Sequence, residues 1–178
     1  EPFEKEDAAL EREVELIELK DNPKLDLLEE LIEQLGDEQV IIWCSRCALL
    51  YNAAKRLSKK GYTYGIYDGK NKENRVKDYE AFSSKKLQLL FANQKSAGFG
   101  LDKLGNVNYA IYLCSSYSVE EYEQSKWRID RGYGNSTKYI FHIVADKTVE
   151  KRVMSSLVLG QELMSTGNVS PSVFRLED

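Results

Sequence analysis

Residues 87–102 read LQLLFANQKSAGFGLD, an apolar run followed at once by a turn of small residues and glycine. The run at 87–92 predicts a strand covered on both faces, as in a parallel sheet. The turn at 93–102 would then lie at the carboxyl end of that strand, where open α/β folds bind ligands. Glycine there lets the backbone come close to a phosphate or a partner. By spacing alone, an ordinary tight turn explains the pattern equally well.

Similar apolar runs recur along the chain, with helical patterns between them. The other runs cover 40–44, 109–113 and 139–144, with a weaker one at 62–67. Apolar residues at helical spacing predict helices at 24–35, 48–60, 71–82, 118–131 and 147–163. Strands that alternate with helices form right-handed βαβ units. The sequence therefore predicts a three-layer α/β domain, with a mainly parallel central sheet and helices on both faces.

The chain divides into three expected parts. Residues 1–20 are acidic and predict a separate helix or a connector to another lobe, residues 21–164 form the folded lobe, and residues 165–178 form a tail with little core. There is no apolar run of transmembrane length and no signal-like segment, so we expect no membrane partner. Three cysteines, an odd number, favour an intracellular location, in a bacterial or host-cell cytoplasm or in a nucleus.

The net charge of −4 does not by itself suggest a nucleic-acid partner, because domains that bind nucleic acid are usually basic. Many of the acidic residues lie within 1–38, however, and basic clusters follow at 55–60 and 70–77. A local basic strip on an acidic protein is compatible with this distribution.

The helix expected at 118–131 carries the second chemical signal. Gln124, Arg128 and Arg131 recur at i, i+4 and i+7, so they project from one face. Such a face can be no more than a solvated surface. The alternative is a phosphate-binding face, because guanidinium groups match phosphate oxygens in a fork geometry. Ser118, with Glu121 three residues later, has the pattern of a capping box.

Taken in order, these segments resemble the carboxyl-terminal RecA-like lobe of Swi/Snf-type DNA translocases, within helicase superfamily two. The resemblance covers about 24–153 and rests on KLDLL at 24–28, VIIWCS at 40–45, YDG at 67–69, QKSAGFGLD at 94–102, the Gln124, Arg128 and Arg131 helix, and KTVEK at 147–151. Gln94 departs from the family's usual Thr or Ser. Asp102 replaces the family's usual Asn, and Asp is the residue that related DEAD-box-like helicases have there. GYG at 132–134 also departs from the family pattern.

This resemblance implies a role for each motif. Arg128 and Arg131 would be arginine fingers for the γ-phosphate of an ATP held by another lobe, and Gln124 would orient them or sense the nucleotide. Gly100 and Asp102 would border the nucleotide, with Asp102 directed at a ribose hydroxyl. A further set would face the phosphate backbone of DNA without reading its sequence: Ser45, Arg46, Gln94, Lys95 and Ser96.

ATP and Mg²⁺ would be bound mainly by an amino-terminal RecA-like lobe of the same polypeptide. The chain itself contains no G-x-x-x-x-G-K-[ST] motif and no D-E-x-H or D-E-x-D run. We therefore expect DNA and that lobe as partners, no metal ligands within this chain, and no ATP hydrolysis by the chain alone.

Other interpretations stay open. Cys44 and Cys47 match the place of a W-C-x-x-C motif in a thioredoxin-like redox protein, although the three prolines (Pro2, Pro23 and Pro171) all lie outside the expected core. A flavodoxin-like nucleotide module would need glycine after 40–44, which is absent. A degenerate helicase-like lobe that only binds partners would share every motif. One C-x-x-C with a distant His142 and Cys114 does not make a closed zinc site.

The bulky side chains near these motifs have simpler interpretations. His142 and Trp43 lie in apolar runs and are expected in the core, whereas Trp127 would pack either in the core or at an interface between lobes.

Overall fold

The protein is described by a computed structural model that covers residues 22–98, 100–102, 104–130 and 137–166. Within these residues five strands form one sheet, in the order β2-β3-β1-β4-β5. The strands are β1 (Val40–Cys44), β2 (Tyr64–Tyr67), β3 (Leu89–Ala92), β4 (Tyr109–Cys114) and β5 (Tyr139–His142). Every neighbouring pair is parallel, which confirms the expected sheet.

Five helices connect and flank the strands in the described part of the chain. They are α1 (Pro23–Leu35), α2 (Cys47–Lys59), α3 (Arg75–Ser83), α4 (Val119–Asp130) and α5 (Val149–Thr166), and a short 3₁₀ turn at Gln94–Gly98 follows β3. The acidic segment expected at 1–20 lies outside the described residues, as does the tail expected at 165–178 beyond the last two residues of α5.

Alternation along the strands divides the core into two layers. Ile41 and Trp43 project into a cluster built with α3, α4 and α5, whereas Val40, Ile42 and Cys44 project into a cluster built with α1 and α2. Because successive side chains of a strand point to opposite faces, each buried strand supplies both clusters. The expected three layers, with helices on both faces of the sheet, are confirmed.

The start of α3 differs from the expectation of a helix over 71–82. The carboxylate of Asp68 is fully buried and accepts hydrogen bonds from the backbone N–H of Lys70 (3.0 Å) and of Asn71 (2.7 Å). The side chain of Asn71 donates to the carbonyl of Ile66 at 3.1 Å. These bonds hold the backbone in a turn, so the helix begins only at Arg75.

The topology places a switch point at the middle of the sheet. From β1 the chain moves to one side to form β2, returns to form β3, and then crosses past β1 to form β4. Connections from β1 and from β4 therefore leave in opposite directions, which opens a crevice at the carboxyl edge of the sheet between these strands. Within the described residues, no helix is both long and apolar enough to cross a membrane.

Candidate functional site

The turns that follow β1 and β3 are joined at the carboxyl edge of the sheet by one buried side chain, Asn93. Its amide Nδ2 donates to the carbonyls of Cys44 and Ser45, both at 3.1 Å. Its Oδ1 accepts the backbone N–H of Lys95, also at 3.1 Å. Asn93 thus fixes the Ser45 turn against the Lys95 turn, the two turns that the family resemblance assigns to DNA.

Asn93 was not among the residues that the sequence predicted for the site. Its position directly after a buried strand is compatible with an ordinary turn residue, and the local sequence carries no sign of contacts to residues nearly fifty positions earlier. The only available signal is chemical, because Asn combines an acceptor with two donors and so can join two backbone segments.

Four of the five predicted DNA contacts keep a solvent-accessible position on this edge. Arg46 and Lys95 are exposed, while Ser45 and Ser96 are half-buried. The backbone of Ser45 is anchored by its N–H, which donates to the carbonyl of Cys114 at 2.9 Å. Two cations and two hydroxyl groups on neighbouring turns are the donors that a phosphate backbone requires.

Gln94 differs from the other four. Its side chain is 1% exposed, and neither its Oε1 nor its Nε2 has a hydrogen-bond partner within the described residues. In this conformation Gln94 packs inward at the start of the 3₁₀ turn. Its predicted contact with DNA would require the side chain to turn outward, so that role stays a prediction.

The glycine turn closes on Tyr67, the last residue of β2. Gly100 has a φ of +76°, a conformation that residues with a Cβ rarely adopt, and a Cβ placed there would lie 3.4 Å from the hydroxyl of Tyr67. The guanidinium of Arg75 lies over the ring of Tyr67, 5.7 Å from its centroid. Gly100 therefore lets the turn sit close to Tyr67 while its own backbone stays exposed.

Arg128 and Asp102, predicted as finger and ribose contact, meet directly. Nη1 of Arg128 lies 2.5 Å from Oδ1 of Asp102. The side chain of Arg128 is 16% exposed, whereas that of Asp102 is 73% exposed. An ion pair with one partner so open to water adds at most about 1 kcal/mol to stability. Its main consequence is positional, since it holds the guanidinium beside the glycine turn.

Helix α4 carries Arg128 on its outer face because its inner face is buried. Tyr122 and Ile129 pack into the core. Gln124 is exposed and its Nε2 donates to Oε1 of Glu120 at 3.1 Å. Trp127 is 59% exposed on the same face as Gln124 and Arg128. It therefore does not pack in the core of this lobe, which was one of its two expected positions.

The start of α4 follows the expected capping pattern in part. The N–H of Glu121 donates to Oγ of Ser118 at 3.2 Å, as a capping box requires. The carboxylate of Glu121 does not return that bond but accepts one from Oγ of Ser116 at 2.9 Å.

Two further predictions concern Arg131 and metal binding. Arg131 lies outside them, so its position relative to Arg128 is not part of the site as described. Among the residues that are described, no group of three or more His, Cys, Asp and Glu side chains has an arrangement that could hold a metal ion.

The fold and this edge define a RecA-like lobe, and the comparison with protein families agrees. Residues 23–132, more than half of the chain, match the helicase conserved C-terminal domain. The chain belongs to this family. The expected assignment to a carboxyl-terminal lobe of helicase superfamily two is therefore confirmed. Membership in the Swi/Snf group stays a prediction.

Individual relatives are distant. The chain is similar to DEAD-box ATP-dependent RNA helicase 21 of Oryza sativa subsp. japonica, with 26% identity over 117 residues, which are 65% of this chain but only 16% of that protein. The chain thus spans less than a fifth of the length of this curated relative.

Two solved structures share the fold. One is the C-terminal part of the Fun30 ATPase domain, with a TM-score of 0.65 and 22% identity over 75% of this chain and 45% of that one. The other is the Pyrococcus furiosus Hef helicase domain, with a TM-score of 0.61 and 18% identity over 76% of this chain and 28% of that one. Family and fold together do not support the thioredoxin-like and flavodoxin-like interpretations. A degenerate lobe stays open, because membership in the family does not test catalysis.

Proposed function

We propose that the chain is the carboxyl-terminal motor lobe of an ATP-dependent DNA translocase or helicase of the Swi/Snf type. The observation that supports this most directly is the 2.5 Å ion pair between Arg128 and Asp102. It brings the arginine of the helix to the glycine turn at the carboxyl edge, where α/β folds bind ligands. A guanidinium that served only as solvated surface would not need this position.

The residues present fit part of an ATP site but not a whole one. Arg128 supplies a cation, and Arg131 would supply a second. Asp102 supplies an exposed carboxylate that can accept a ribose hydroxyl. Mg²⁺·ATP, bound mainly by another lobe, would bring the phosphoryl group to be transferred. Arg128 would neutralise the charge that develops on this group, an effect worth roughly 10³–10⁵ in kcat in related NTPases. Gln124 would orient the arginines from one turn earlier on α4.

The turns joined by Asn93 would form the DNA track. Arg46 and Lys95 would pair with phosphates, and Ser45 and Ser96 would donate hydrogen bonds to the same strand. Such contacts position a strand without reading its sequence, which suits a motor that moves along any DNA. Because Asn93 links the two turns, both would move with the lobe as one unit.

The partner of this lobe would be an amino-terminal RecA-like lobe that supplies the P-loop and the Mg²⁺-binding carboxylates. The exposed Trp127 lies beside Arg128 and would be covered when the lobes close. Purified alone, the chain is therefore expected to show no ATP turnover above a buffer blank. Appreciable turnover, with a linear dependence on protein concentration, would contradict this part of the proposal.

The decisive experiment measures DNA-stimulated ATPase activity in the complete polypeptide that carries this lobe. Arg128→Ala should lower kcat by roughly 10³-fold or more, with affinity for DNA largely retained. Arg128→Lys should not restore the rate, since an ammonium cannot reproduce the guanidinium fork. Lys86→Ala is the matched control, because Lys86 is an exposed cation at the opposite, amino edge of the sheet. Unchanged turnover in Arg128→Ala would favour the degenerate lobe.

A second comparison separates DNA from RNA as the track. RNA is the alternative track for two reasons. Asp102 is shared with DEAD-box-like helicases, and the chain is similar to a DEAD-box RNA helicase of rice. The proposal expects duplex DNA to stimulate ATP hydrolysis more than duplex RNA of the same sequence and length. Stronger stimulation by RNA would overturn the Swi/Snf assignment while leaving the role of Arg128 intact.

A further inference from the structure

Cys44 and Cys114 are seventy residues apart in sequence but lie side by side at the carboxyl ends of β1 and β4. They are partners in the register of the sheet, just after the pairing shifts between Trp43 and Cys44. Both belong to the apolar cluster under α1 and α2, so both side chains project from the same face. Neighbouring strands lie about 4.8 Å apart. That spacing falls within the Cα separation of roughly 4.4–6.8 Å that a disulfide requires.

The two thiols differ in their acidity because they contact each other. Hydrogen bonding to Cys44 lowers the pKa of Cys114, against the effect of burial, and Ser45 Oγ adds a contact 3.4 Å from Cys114 Sγ. The same contact raises the pKa of Cys44, and burial raises it further. The nearby ion pair of Lys24 and Glu150, 2.6 Å apart, acts on Cys114 in both directions, Lys24 favouring the thiolate and Glu150 opposing it. A thiol of lowered pKa beside a second thiol is the arrangement in which a sulfenic acid, once formed, condenses to a disulfide.

We propose that Cys44 and Cys114 are a site of reversible oxidation, at which a peroxide converts the two thiols into a disulfide. The Cys114 thiolate attacks one oxygen of hydrogen peroxide, and the O–O bond breaks to give a sulfenic acid and hydroxide, which takes up a proton to become water. The sulfur of Cys44 then attacks the sulfur of the sulfenic acid, losing its proton as the second water leaves. Two thiols are oxidised to one disulfide, and one peroxide is reduced to two waters. Cys114 reacts first because it is 6% exposed, whereas Cys44 is fully buried.

Oxidation would change the turn between β1 and α2. In the reduced protein the single hydrogen of the Cys44 thiol is shared between the carbonyl of Arg46, 3.2 Å away, and the sulfur of Cys114, and Ser45 Oγ also donates to the sulfur of Cys114. A disulfide has no hydrogen to donate, so the carbonyl of Arg46 loses this partner. Any effect of that change on DNA binding would rest on the proposed function, whereas formation of the disulfide does not.

Cys47 is the competing partner, and the sequence pattern C-x-x-C would favour it. Cys47 is half-buried at the start of α2, where its sulfur lies 3.6 Å from Nδ2 of Asn93. Digestion with trypsin separates all three cysteines, because cleavage after Lys24, Arg46, Lys55, Lys103 and Lys126 places them in the peptides 25–46, 47–55 and 104–126. Each possible disulfide therefore links a different pair of peptides.

The test treats the native protein with hydrogen peroxide, blocks the remaining thiols with iodoacetamide, and maps the peptides by mass spectrometry. The expected product is 25–46 linked to 104–126, about 2 Da lighter than the two free peptides together, with 47–55 alkylated. Dithiothreitol should release both peptides. In guanidinium chloride the preference for this pair should vanish, since it depends on the sheet.

Two variants complete the design. Cys47→Ser should leave the linked pair unchanged, and Cys114→Ala should abolish it without creating a link between 25–46 and 47–55. The proposal is overturned if native protein links 25–46 mainly to 47–55, or if peroxide modifies Cys47 while 25–46 and 104–126 stay fully alkylated. Because the linked peptides are identified in the wild-type protein, this result does not depend on whether a variant folds.

Discussion

The hydroxyl of Tyr112 on β4 lies 2.8 Å from the hydroxyl of Ser125 on α4, and both side chains are almost completely buried. Ser125 Oγ also donates to the carbonyl of Tyr122 at 2.7 Å, so the proton between the two hydroxyls comes from Tyr112. Together with the packing of Tyr122 and Ile129 in the core, this bond ties α4 to the sheet. Arg128, one turn further along α4, is thereby held beside the glycine turn.

The first prediction concerns this pair. Tyr112→Phe removes a buried donor but leaves Ser125 bonded to Tyr122, so we expect a loss of about 1 kcal/mol in the free energy of unfolding. Ser125→Ala leaves the buried Tyr112 hydroxyl without its partner and should cost more, about 1–3 kcal/mol. The double variant should cost less than the sum of the two. Urea unfolding can be followed by the fluorescence of Trp43, which stacks on Tyr112. Strictly additive losses would mean that the hydroxyls do not interact.

A second prediction concerns the close approach of β2 and α3 at Gly65. A Cβ on Gly65 would lie 2.8 Å from Cβ of Asp78 and 3.1 Å from Cδ1 of Leu87. Asp78 cannot move freely, because its Oδ2 accepts the N–H of Ile66 at 2.9 Å. Gly65→Ala should therefore destabilise the fold by about 1–3 kcal/mol through overpacking. Gly69→Ala is the control, since no atom lies within 4 Å of its added Cβ. Equal urea midpoints for the two variants would contradict this prediction.

The strands were the part of the fold that the sequence predicted best. Their apolar runs are nearly continuous because the sheet is covered on both faces. Such a run can be recognised from the local sequence alone. β1 has the limits expected for it, Val40–Cys44, while β3 begins at Leu89, later than the run at 87–92. The helix expected from 71 failed at its start, because the buried carboxylate of Asp68 overrides a helical pattern that has no strong apolar face there.

The site was predictable in outline only. The order of the motifs brought Asp102 and Arg128 to one edge of the sheet, but the ion pair between them depends on the rotation of α4, which distant contacts set. The inward position of Gln94 and the meeting of Cys44 with Cys114 are likewise consequences of strand order. No local pattern encodes them, since parallel strands join residues that are far apart in sequence.

A third prediction concerns the polar contact between α1 and α2. Glu29 is nearly buried and receives hydrogen bonds from Arg56 Nε at 2.5 Å and Nη2 at 3.1 Å, while Lys60 Nζ lies 3.0 Å away. Glu29→Gln should lower the free energy of unfolding by about 1–3 kcal/mol, because the half-buried Arg56 loses the less exposed of its two carboxylate partners and keeps only Asp26. Glu33→Gln, which removes a more exposed carboxylate, should change it by less than about 0.5 kcal/mol.

The same carboxylate should contribute to acid sensitivity. Burial alone would raise the pKa of Glu29, but the hydrogen bonds from Arg56 and Lys60 outweigh it and lower the pKa below the ordinary value of 4.5. A carboxyl group with a lower pKa in the folded state stabilises the fold fully above its unfolded pKa. That contribution is lost as the pH falls through the folded pKa. Below pH 4.5 wild-type stability should thus fall more steeply than that of Glu29→Gln, as measured by urea unfolding at a series of pH values.

A fourth prediction concerns the pH dependence of stability that comes from His142, which lies at higher pH than that of Glu29. Burial lowers its pKa from the ordinary 6.5, and the positive charge of Lys126 lowers it further. Nε2 of His142 lies 3.1 Å from the hydroxyl of Tyr122, while Nδ1 is buried without a hydrogen-bond partner in the described part of the chain. The folded state therefore prefers the neutral ring. Stability from this residue is complete above pH 6.5 and is lost as the pH falls through the folded pKa.

The measurement for His142 compares the change in stability between pH 7.5 and 5.5 in the wild type and in His142→Gln. The wild type should lose more stability over this interval, because the variant has no ring to protonate. Absolute stabilities at pH 7.5 are not compared, since glutamine also removes the stacking of His142 on Tyr112. A pH dependence that is the same in both proteins would show that His142 does not titrate differently on folding.

The last prediction separates the positional role of Asp102 from any role in stability. Because Asp102 is 73% exposed, its removal should change the free energy of unfolding by less than about 1 kcal/mol. In the complete polypeptide, Asp102→Ala should nonetheless lower kcat for ATP hydrolysis by roughly 10–100-fold, since a displaced guanidinium stabilises the transferring phosphoryl group poorly. Asp102→Asn keeps an acceptor oxygen and should recover most of the rate. Asp146→Asn is the matched control, because Asp146 forms a similarly exposed ion pair with Lys151 at 3.1 Å. If kcat of Asp102→Ala equalled that of the wild type, the ion pair with Arg128 would be a surface contact without a part in hydrolysis.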